Sequence, residues 1–401
     1  MPNFSSITQL VVSPPLVSAD AGGHTLVCVF LRGGADTMNL VVPYADDHYY
    51  NARPTLAVKR PGSGADAAIR LDEHYAFHPV LKPLEAAFKE GRLGMVQGVG
   101  TDSTSGSHFE CQDQMEHGDS ELARPAGGGW LGRFLRLRAG EATPSPLSAV
   151  AIGTKLPESL RGAPSVSVLE HLDDIAIKAP SGHPEAVVGA LRRMYGADVT
   201  LLGQRGQQTL DLFNRMSILH GRSYTPANGA DYPRHPFGEG LRELARLIKL
   251  GVGLEVACID LSNWDTHFLQ GTVGGHTANA KVLAESLAAF ETDLKAERAR
   301  YTVMITTEFG RRVYENASAG TDHGRGFTFM ALGDKVKGGR ILGGWPIGVM
   351  DETNPLGPGG VDIQHDFRDV FAEVLSGAMG TKEGARIFPG ASLSRVGLMV
   401  S

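Results

Sequence analysis

Several short apolar runs in this chain end in residues that can hold a metal ion or an anion. The run TLVCVFL (25–31) is followed by RGGADTMN, which sets Arg32 and Asp36 on a glycine-rich turn. The run RLGMVQGV (92–99) leads into GTDSTSGSHFECQDQMEHG, with Ser107 and His108 where a helix is expected to start. After LEVACIDL (254–261) comes SNWDTH, with Asp265 and His267 two residues apart. After YTVMITT (301–307) come Glu308, Phe309, Gly310 and Arg311, and a loop then brings TDHGRG, with Asp322 and His323. Mixed carboxylate and imidazole ligands suit Zn²⁺, Mn²⁺ or similar ions, while all-oxygen sets suit Mg²⁺ or Ca²⁺. A hydroxyl at a helix start faces free backbone N–H groups and the positive end of the helix dipole, where an anionic ester binds. A nearby metal activates such a hydroxyl and stabilises charge on the ester oxygens.

Each group also has a plainer reading. Asp36 on its turn can form an Asx-turn or a cap. Ser107 can be an N-cap and nothing more. Asp265 with His267 can be a turn carrying a solvated histidine, and Asp322 with His323 a surface pair. Glu308 can be an ion-pair partner of Arg311 or Arg312. His24, His48, His171, His183 and His220 have no such context. The chemical reading rests on all the pieces recurring at one edge of one sheet. The chain has no GxxxxGK[ST] phosphate loop, no HExxH, no strand-linked GxGxxG and no GxSxG elbow.

The elements that must position these groups can be read from hydrophobic spacing. The four runs above, with GFTFMAL (326–332), are continuous and apolar, which fits strands covered on both faces. Helical spacing recurs between them, at 80–91, 240–251, 280–300 and 365–380. Strands alternating with helices predict an α/β fold with a doubly wound, mostly parallel sheet. In such sheets ligands bind beyond the carboxyl ends of the strands. Glycines at strand ends, Gly33, Gly34, Gly310, Gly324 and Gly326 among them, let the backbone turn or approach closely. The stretch near 120–235 is rich in Pro and Gly and reads as an irregular insertion or cap. Residues 1–24 read as an N-terminal extension, and 25–401 as a single domain.

The bulk composition is that of an ordinary globular protein. Of 401 residues, 42% are hydrophobic and 20% charged, enough to build a sizeable core. A net charge of −6 argues against a general nucleic-acid or anionic-membrane binder. No run approaches the length of a membrane span. The N-terminal stretch lacks the pattern of a secretion signal, so a cytoplasmic location is expected, or a periplasmic or secreted one if a leader has been removed. Cys28, Cys111 and Cys258 are three widely spaced thiols, and free thiols are expected.

With these residues assembled, the chain resembles a bacterial family labelled domain of unknown function 1501, in the alkaline-phosphatase and sulfatase superfamily. The resemblance is carried by LVCVFLRGGADTMNLVVPY, SHFECQDQMEHG, GWLGRFL, NWDTH, TTEFGRR, TDHGRG, DFRDVFAEVL and FPG, in that order. It implies an alkaline-phosphatase-like sheet and one or two divalent metals, drawn from Zn, Mn, Ca or Mg. It makes Asp36, Asp265, His267, Glu308, Asp322 and His323 the metal-site residues, and Ser107 the nucleophile or its counterpart. Phe309 stands where the superfamily has a ligating histidine, so the second metal site is depleted or rebuilt. The C/S-x-P-x-R sulfatase signature is missing, so formylglycine chemistry is not implied.

Together these features read as a metal-dependent hydrolase of a small anionic phosphate or sulfate ester, attacked by Ser107 or water. Arg32 or Arg311 would bind the non-bridging oxygens and His108 would protonate the leaving group. No nucleic-acid or membrane partner is expected, and the oligomeric state stays open. The rival readings are an altered or non-hydrolytic enzyme at the same cleft, or a non-catalytic binding protein on this scaffold.

Overall fold

A computed structural model of the chain describes residues 23–119, 127–140, 144–174, 184–217, 224–271, 274–344 and 359–400. Nine of the described strands form one sheet: β1 (Thr25–Leu31), β2 (Leu93–Gly100), β3 (Ala149–Ile152), β4 (Ser167–Leu169), β5 (Val256–Leu261), β6 (Tyr301–Thr306), β7 (Phe327–Leu332), β8 (Ile341–Leu342) and β9 (His365–Asp366). Their order is β8-β2-β7-β6-β1-β5-β3-β4, with β9 also beside β2. β1 runs parallel to β5 and β6, while β7 is antiparallel to both β6 and β2. The fold is therefore mixed α/β with a mostly parallel central sheet, as the alternation of runs predicts.

β1 sits inside the sheet, and its side chains alternate between two cores, which is why its sequence is apolar from Leu26 to Leu31. Val27, Val29 and Leu31 join one core with Phe237 and Leu241 of helix Pro236–Leu250 and Leu283 and Leu287 of helix Gly275–Asp293. Leu26 and Phe30 join the other, with Met115 of α1 (His108–His117), Phe134 of α2 (Trp130–Ala139) and Phe371 of helix Phe367–Met379. Helices on both faces make the sheet doubly wound. No helix among the described residues is long and apolar enough to cross a membrane. Cys28, Cys111 and Cys258 are free, and Cys28 lies directly opposite Cys258 across β1 and β5.

Some elements depart from the periodicity. The helix expected over 80–91 is a 3₁₀ segment, Pro79–Leu84, followed by a short α-helix, Glu85–Lys89. Pro83 lies inside it and lacks the N–H that an α-helix would use. The helix expected from 365 begins at Phe367, because Asp366 caps it by accepting from the Arg368 amide at 2.8 Å. Part of the stretch read as an insertion is sheet: β3 and β4 extend the β5 edge in parallel register. Runs of four and three residues carry too little periodicity to be told from loop. Residues 1–22, 120–126, 141–143, 175–183 and 218–223 lie outside the described residues, and with them most of the expected N-terminal extension, His183, His220 and parts of the expected insertion.

The turn of the chain after β6 sets the geometry of the sheet edge. The Gly310 amide donates to the Arg325 carbonyl at 2.8 Å, and the Gly324 amide to the Gly310 carbonyl at 2.8 Å. This seam brings the segment before β7 against the segment after β6. A Cβ on Gly310 would stand 1.8 Å from the Gly326 carbonyl oxygen, a backbone atom that cannot swing aside. Gly310→Ala is expected to cost about 3 kcal/mol, the upper end for overpacking. Gly380→Ala, where the φ of 70° is unfavourable but nothing lies within 4 Å, should cost about 1 kcal/mol. Denaturant unfolding of the two variants checks the difference.

Candidate functional site

The carboxyl ends of β1, β2, β5 and β6 share one edge of the sheet, and because β7 runs backwards, the loop leading into it returns to that edge. Ser107 holds the N-cap position of α1, but its side chain makes no capping hydrogen bond. His108 is the first residue of the helix. Asp265 and His267 come from the loop after β5, Glu308 and Arg311 from the segment after β6, and Asp322 and His323 from the loop before β7.

Three histidines meet here, and each is anchored through Nδ1. His108 Nδ1 lies 2.8 Å from Glu308 Oε1, and His267 Nδ1 lies 3.0 Å from Asp322 Oδ1. His323 Nδ1 lies 2.8 Å from the carbonyl oxygen of Gly106, so that nitrogen carries the proton. A proton on Nδ1 leaves Nε2 as the lone-pair nitrogen, the arrangement in which imidazole binds metal. The three Nε2 atoms converge on Asp265. Its Oδ1 is 3.0 Å from His267 Nε2, 3.3 Å from His323 Nε2 and 3.4 Å from His108 Nε2. The Nε2 atoms of His267 and His323 are 2.9 Å apart. His108, Asp265 and His323 place one potential ligand atom each within 4.8 Å of one another. His108 Nε2 is buried and has no hydrogen-bond partner, a cost that a bound cation would relieve.

Charge at the site is set by these contacts. Burial raises the Asp265 carboxyl, but the Arg311 guanidinium, with His323 and His267, outweighs it and holds the group at about 2. Burial likewise raises Glu308, and the hydrogen bonds from His108, Gln112 and Gly33 bring it below the usual carboxylate range. The bond to Glu308 raises the His108 imidazole against the effect of its burial. Burial and the nearby Arg311 charge lower His323, which favours its neutral, ligating form. Asp265 remains 46% exposed, so the cluster is open to solvent on one side.

Apart from Ser107 at the start of α1, the structure sorts the expected site residues into three groups. His108, Asp265, His267 and His323 come together; His108, read as a leaving-group acid, lies among the possible ligands. Glu308 and Asp322, expected among the metal residues, stand one layer behind, because their carboxylates are taken by the Nδ1 atoms of His108 and His267. Asp36, Arg32 and Arg311 are placed otherwise than the sequence suggests. Asp36 is fully buried and paired with Arg53, at 2.6 Å between Oδ2 and Nη1, and also accepts from the Gln270 side-chain amide, so its carboxylate is directed into the interior. Arg32 is held by Asp260, Glu116 and Gln112. Arg311 is buried, with its donors on the Gly33, Gly34 and Thr321 carbonyls and Asp265. Neither guanidinium is free to clamp a substrate oxyanion in this arrangement.

Sequence reasoning missed Gln112, Arg53 and Asn316. Gln112 Nε2 donates to Glu308 at 2.9 Å, and its spacing of four from His108 on one helix was a usable signal. Asn316 Nδ2 donates to Asp322 at 3.0 Å. Arg53 had no signal, because its partners lie 17 and about 260 residues away along the chain.

Removing one member of a buried ion pair leaves the other charge unpaired. Arg53→Met is therefore expected to cost about 3–5 kcal/mol in denaturant unfolding. Burial raises Asp36, but Arg53 outweighs it and lowers the carboxyl overall. Its contribution to stability is thus complete above the unfolded value of about 3.9 and is lost as pH falls through the lower folded value. Asp36→Asn should flatten that part of the acid unfolding curve.

No curated protein sequence matches the chain. Among solved structures it is similar to the PsFucS1 sulfatase from Pseudoalteromonas sp., with 13% identity over 96% of this chain and 74% of that one, at a TM-score of 0.39. It is also similar to the C-terminal periplasmic domain of EcEptC from Escherichia coli in complex with Zn, with 11% identity over 80% and 76% of the two chains and a TM-score of 0.34. Alkaline phosphatase from the Antarctic bacterium TAB5 is a third, with 10% identity over 78% and 92% and a TM-score of 0.29. Residues 24–382 match the family described as protein of unknown function (DUF1501), and the chain belongs to that family.

Proposed function

We propose that this chain is a metal-dependent hydrolase of small anionic esters of phosphate or sulfate. The observation that carries the reading is the convergence of three Nε2 atoms on Asp265 Oδ1, each imidazole anchored from behind. Three imidazoles and one carboxylate are a donor set for Zn²⁺ or a similar transition ion, and are nitrogen-rich for Ca²⁺ or Mg²⁺. His108, His267, His323 and Asp265 would hold the ion, with Glu308, Asp322 and the Gly106 carbonyl fixing the rings. The ion supplies Lewis acidity toward an ester oxygen and toward a nearby hydroxyl or water.

The rest of the chemistry falls to the chain. Ser107 lies between Gly106, whose carbonyl holds His323, and His108, whose ring belongs to the cluster. Its hydroxyl is not engaged in capping, which leaves it available as a nucleophile, with water as the alternative. The first amides of α1 and the helix dipole favour the negative ester beside it. Attack by the Ser107 hydroxyl at phosphorus or sulfur would form the seryl ester as the bond to the alcohol breaks, the hydroxyl proton passing by way of solvent to the departing alcohol oxygen. Water would then attack the seryl ester, releasing phosphate or sulfate and returning the proton to Ser107. Where water is the nucleophile, a single such attack suffices. Arg311 acts by holding Asp265 and the loop carbonyls in place.

Elemental analysis of the purified protein is expected to show about one equivalent of a transition ion. His267→Ala should lower that content more than His171→Ala. Glu308→Gln should weaken metal affinity about 10–100-fold while leaving the ligands themselves in place. Stoichiometric metal absent from the wild type, with no change in these variants, would overturn the metal site.

Ser107→Ala separates nucleophile from cap. With no capping bond to lose, the variant should unfold within about 0.5 kcal/mol of the wild type, below the typical cost of a lost cap. Turnover, on whichever of a phosphomonoester, phosphodiester or sulfate-ester panel is active, should fall by several orders of magnitude at unchanged metal content. A variant that keeps most of its turnover assigns the attack to water.

A further inference from the structure

Among the described residues two phenylalanines are exposed, Phe109 at 84% and Phe268 at 69%, and each directly follows a histidine of the cluster. Leu269, next in the chain after Phe268, is 74% exposed. Isolated exposed apolar side chains are ordinary on any protein surface. These three flank the cluster along the chain, because His108 and His267, the histidines that Phe109 and Phe268 follow, both reach Asp265 Oδ1. The apolar character continues inward. Phe309 is buried, with its ring 4.8 Å from that of His108 and 4.7 Å from that of His323.

The backbone holds part of this surface outward against its own preference. Leu269 has a φ of 49°, in the left-handed region that a leucine rarely adopts. It is kept there by two backbone bonds to the loop before β7. The Leu269 amide donates to Ser318 at 3.0 Å, and the Gln270 amide to Ala319 at 2.8 Å. Ala319, on the opposite side of that seam, is also left-handed, with a φ of 53°. Strained, over-determined backbone of this kind gathers at sites that bind ligands. The seam also fixes the two loops that carry His267 and His323, so Phe268, Leu269 and these two histidines are held by one set of bonds.

We infer that the site takes esters whose alcohol portion is large and apolar, with Phe109, Phe268 and Leu269 receiving that portion while the anionic end faces the histidines. The inference rests on the ester-hydrolase reading above and names its substrate class. The charged end would meet the ion held by the histidines and the free amides at the start of α1, and the apolar end the aromatic and aliphatic side chains that follow the histidines in the chain. Each methylene fully withdrawn from water strengthens binding roughly fourfold, and a half-covered one roughly twofold.

The test uses metal-loaded full chain and non-hydrolysable probes: n-alkyl phosphonates and n-alkyl sulfonates with methyl, butyl and octyl chains, titrated by calorimetry. The dissociation constant is expected to fall roughly twofold per methylene from methyl to octyl. In Phe109→Ser/Phe268→Ser the dependence on length should collapse, and metal analysis of the same samples shows whether the cluster is intact. Both residues are exposed, so the fold does not depend on them. Binding that is independent of chain length in the wild type overturns the inference and leaves the ester reading standing. A length dependence that persists in the double variant also overturns it, since the apolar group then lies elsewhere. No binding of any probe to metal-loaded protein overturns the ester reading, and the inference with it.

Discussion

Arg311 ties the sheet edge together. Its side chain is buried, and its donors reach backbone carbonyls from two separate loops together with one carboxylate from a third. Gly33 and Gly34 lie after β1, Asp265 after β5, and Thr321 before β7, while Arg311 itself lies just beyond β6. Segments from three distant parts of the chain are thereby referenced to one planar, permanently charged group. Such a fork satisfies carbonyls that would otherwise be buried without partners. A lysine would supply the charge but not the geometry.

A second guanidinium continues the pattern more deeply. Arg53 donates to the carbonyls of Arg312 and Val313 and to Asp36, so the segment carrying Arg311 is itself fastened to the turn after β1. Asn39 joins the same network, accepting from Arg53 at 2.8 Å and from Tyr49 at 2.7 Å. The close approach of the loops results from this fastening. A Cβ on Gly33, whose φ is 116°, would come within 2.6 Å of the Asp265 amide nitrogen, so only glycine lets the β1 turn lie against the β5 loop. Glu308 is then within reach of the Gly33 amide, at 2.9 Å, and of His108 on a different element. The histidine rings are oriented by groups that are themselves oriented, and the precision of the cluster comes from this layering.

Much of the site was legible before the structure because strand-end residues in a parallel sheet share an edge. Asp265, His267, Asp322, His323, Ser107 and His108 could be named from the polar residues just beyond the apolar runs. The antiparallel course of β7 did not disturb this, since a reversed strand brings its preceding loop to the same edge. The roles were less legible. Asp36 occupies the strand end that the resemblance assigns to a ligand, yet Arg53 and Gln270 hold its carboxylate away. Glu308 reads equally as a ligand or an ion-pair partner, and in the fold it accepts from His108, Gln112 and Gly33.

The order of apolar runs, the helical spacings and the polar residues beyond each run determined the α/β class, the mostly parallel sheet and the edge where the histidines and carboxylates gather. These are local properties, because the periods of strands and helices are written within a few consecutive residues. The tertiary structure decided the rest: which carboxylate meets a histidine, which meets a guanidinium, and which nitrogen of each imidazole is left to bind. It also placed β3 and β4 in the sheet and left Phe109 and Phe268 exposed beside the cluster. The reason is distance along the chain. The bond from His108 to Glu308 spans 200 residues, that from His323 to Gly106 spans 217, and that from Arg53 to Val313 spans 260. No local pattern encodes contacts of that separation, and a side chain's role at this edge is set by the partner that reaches it.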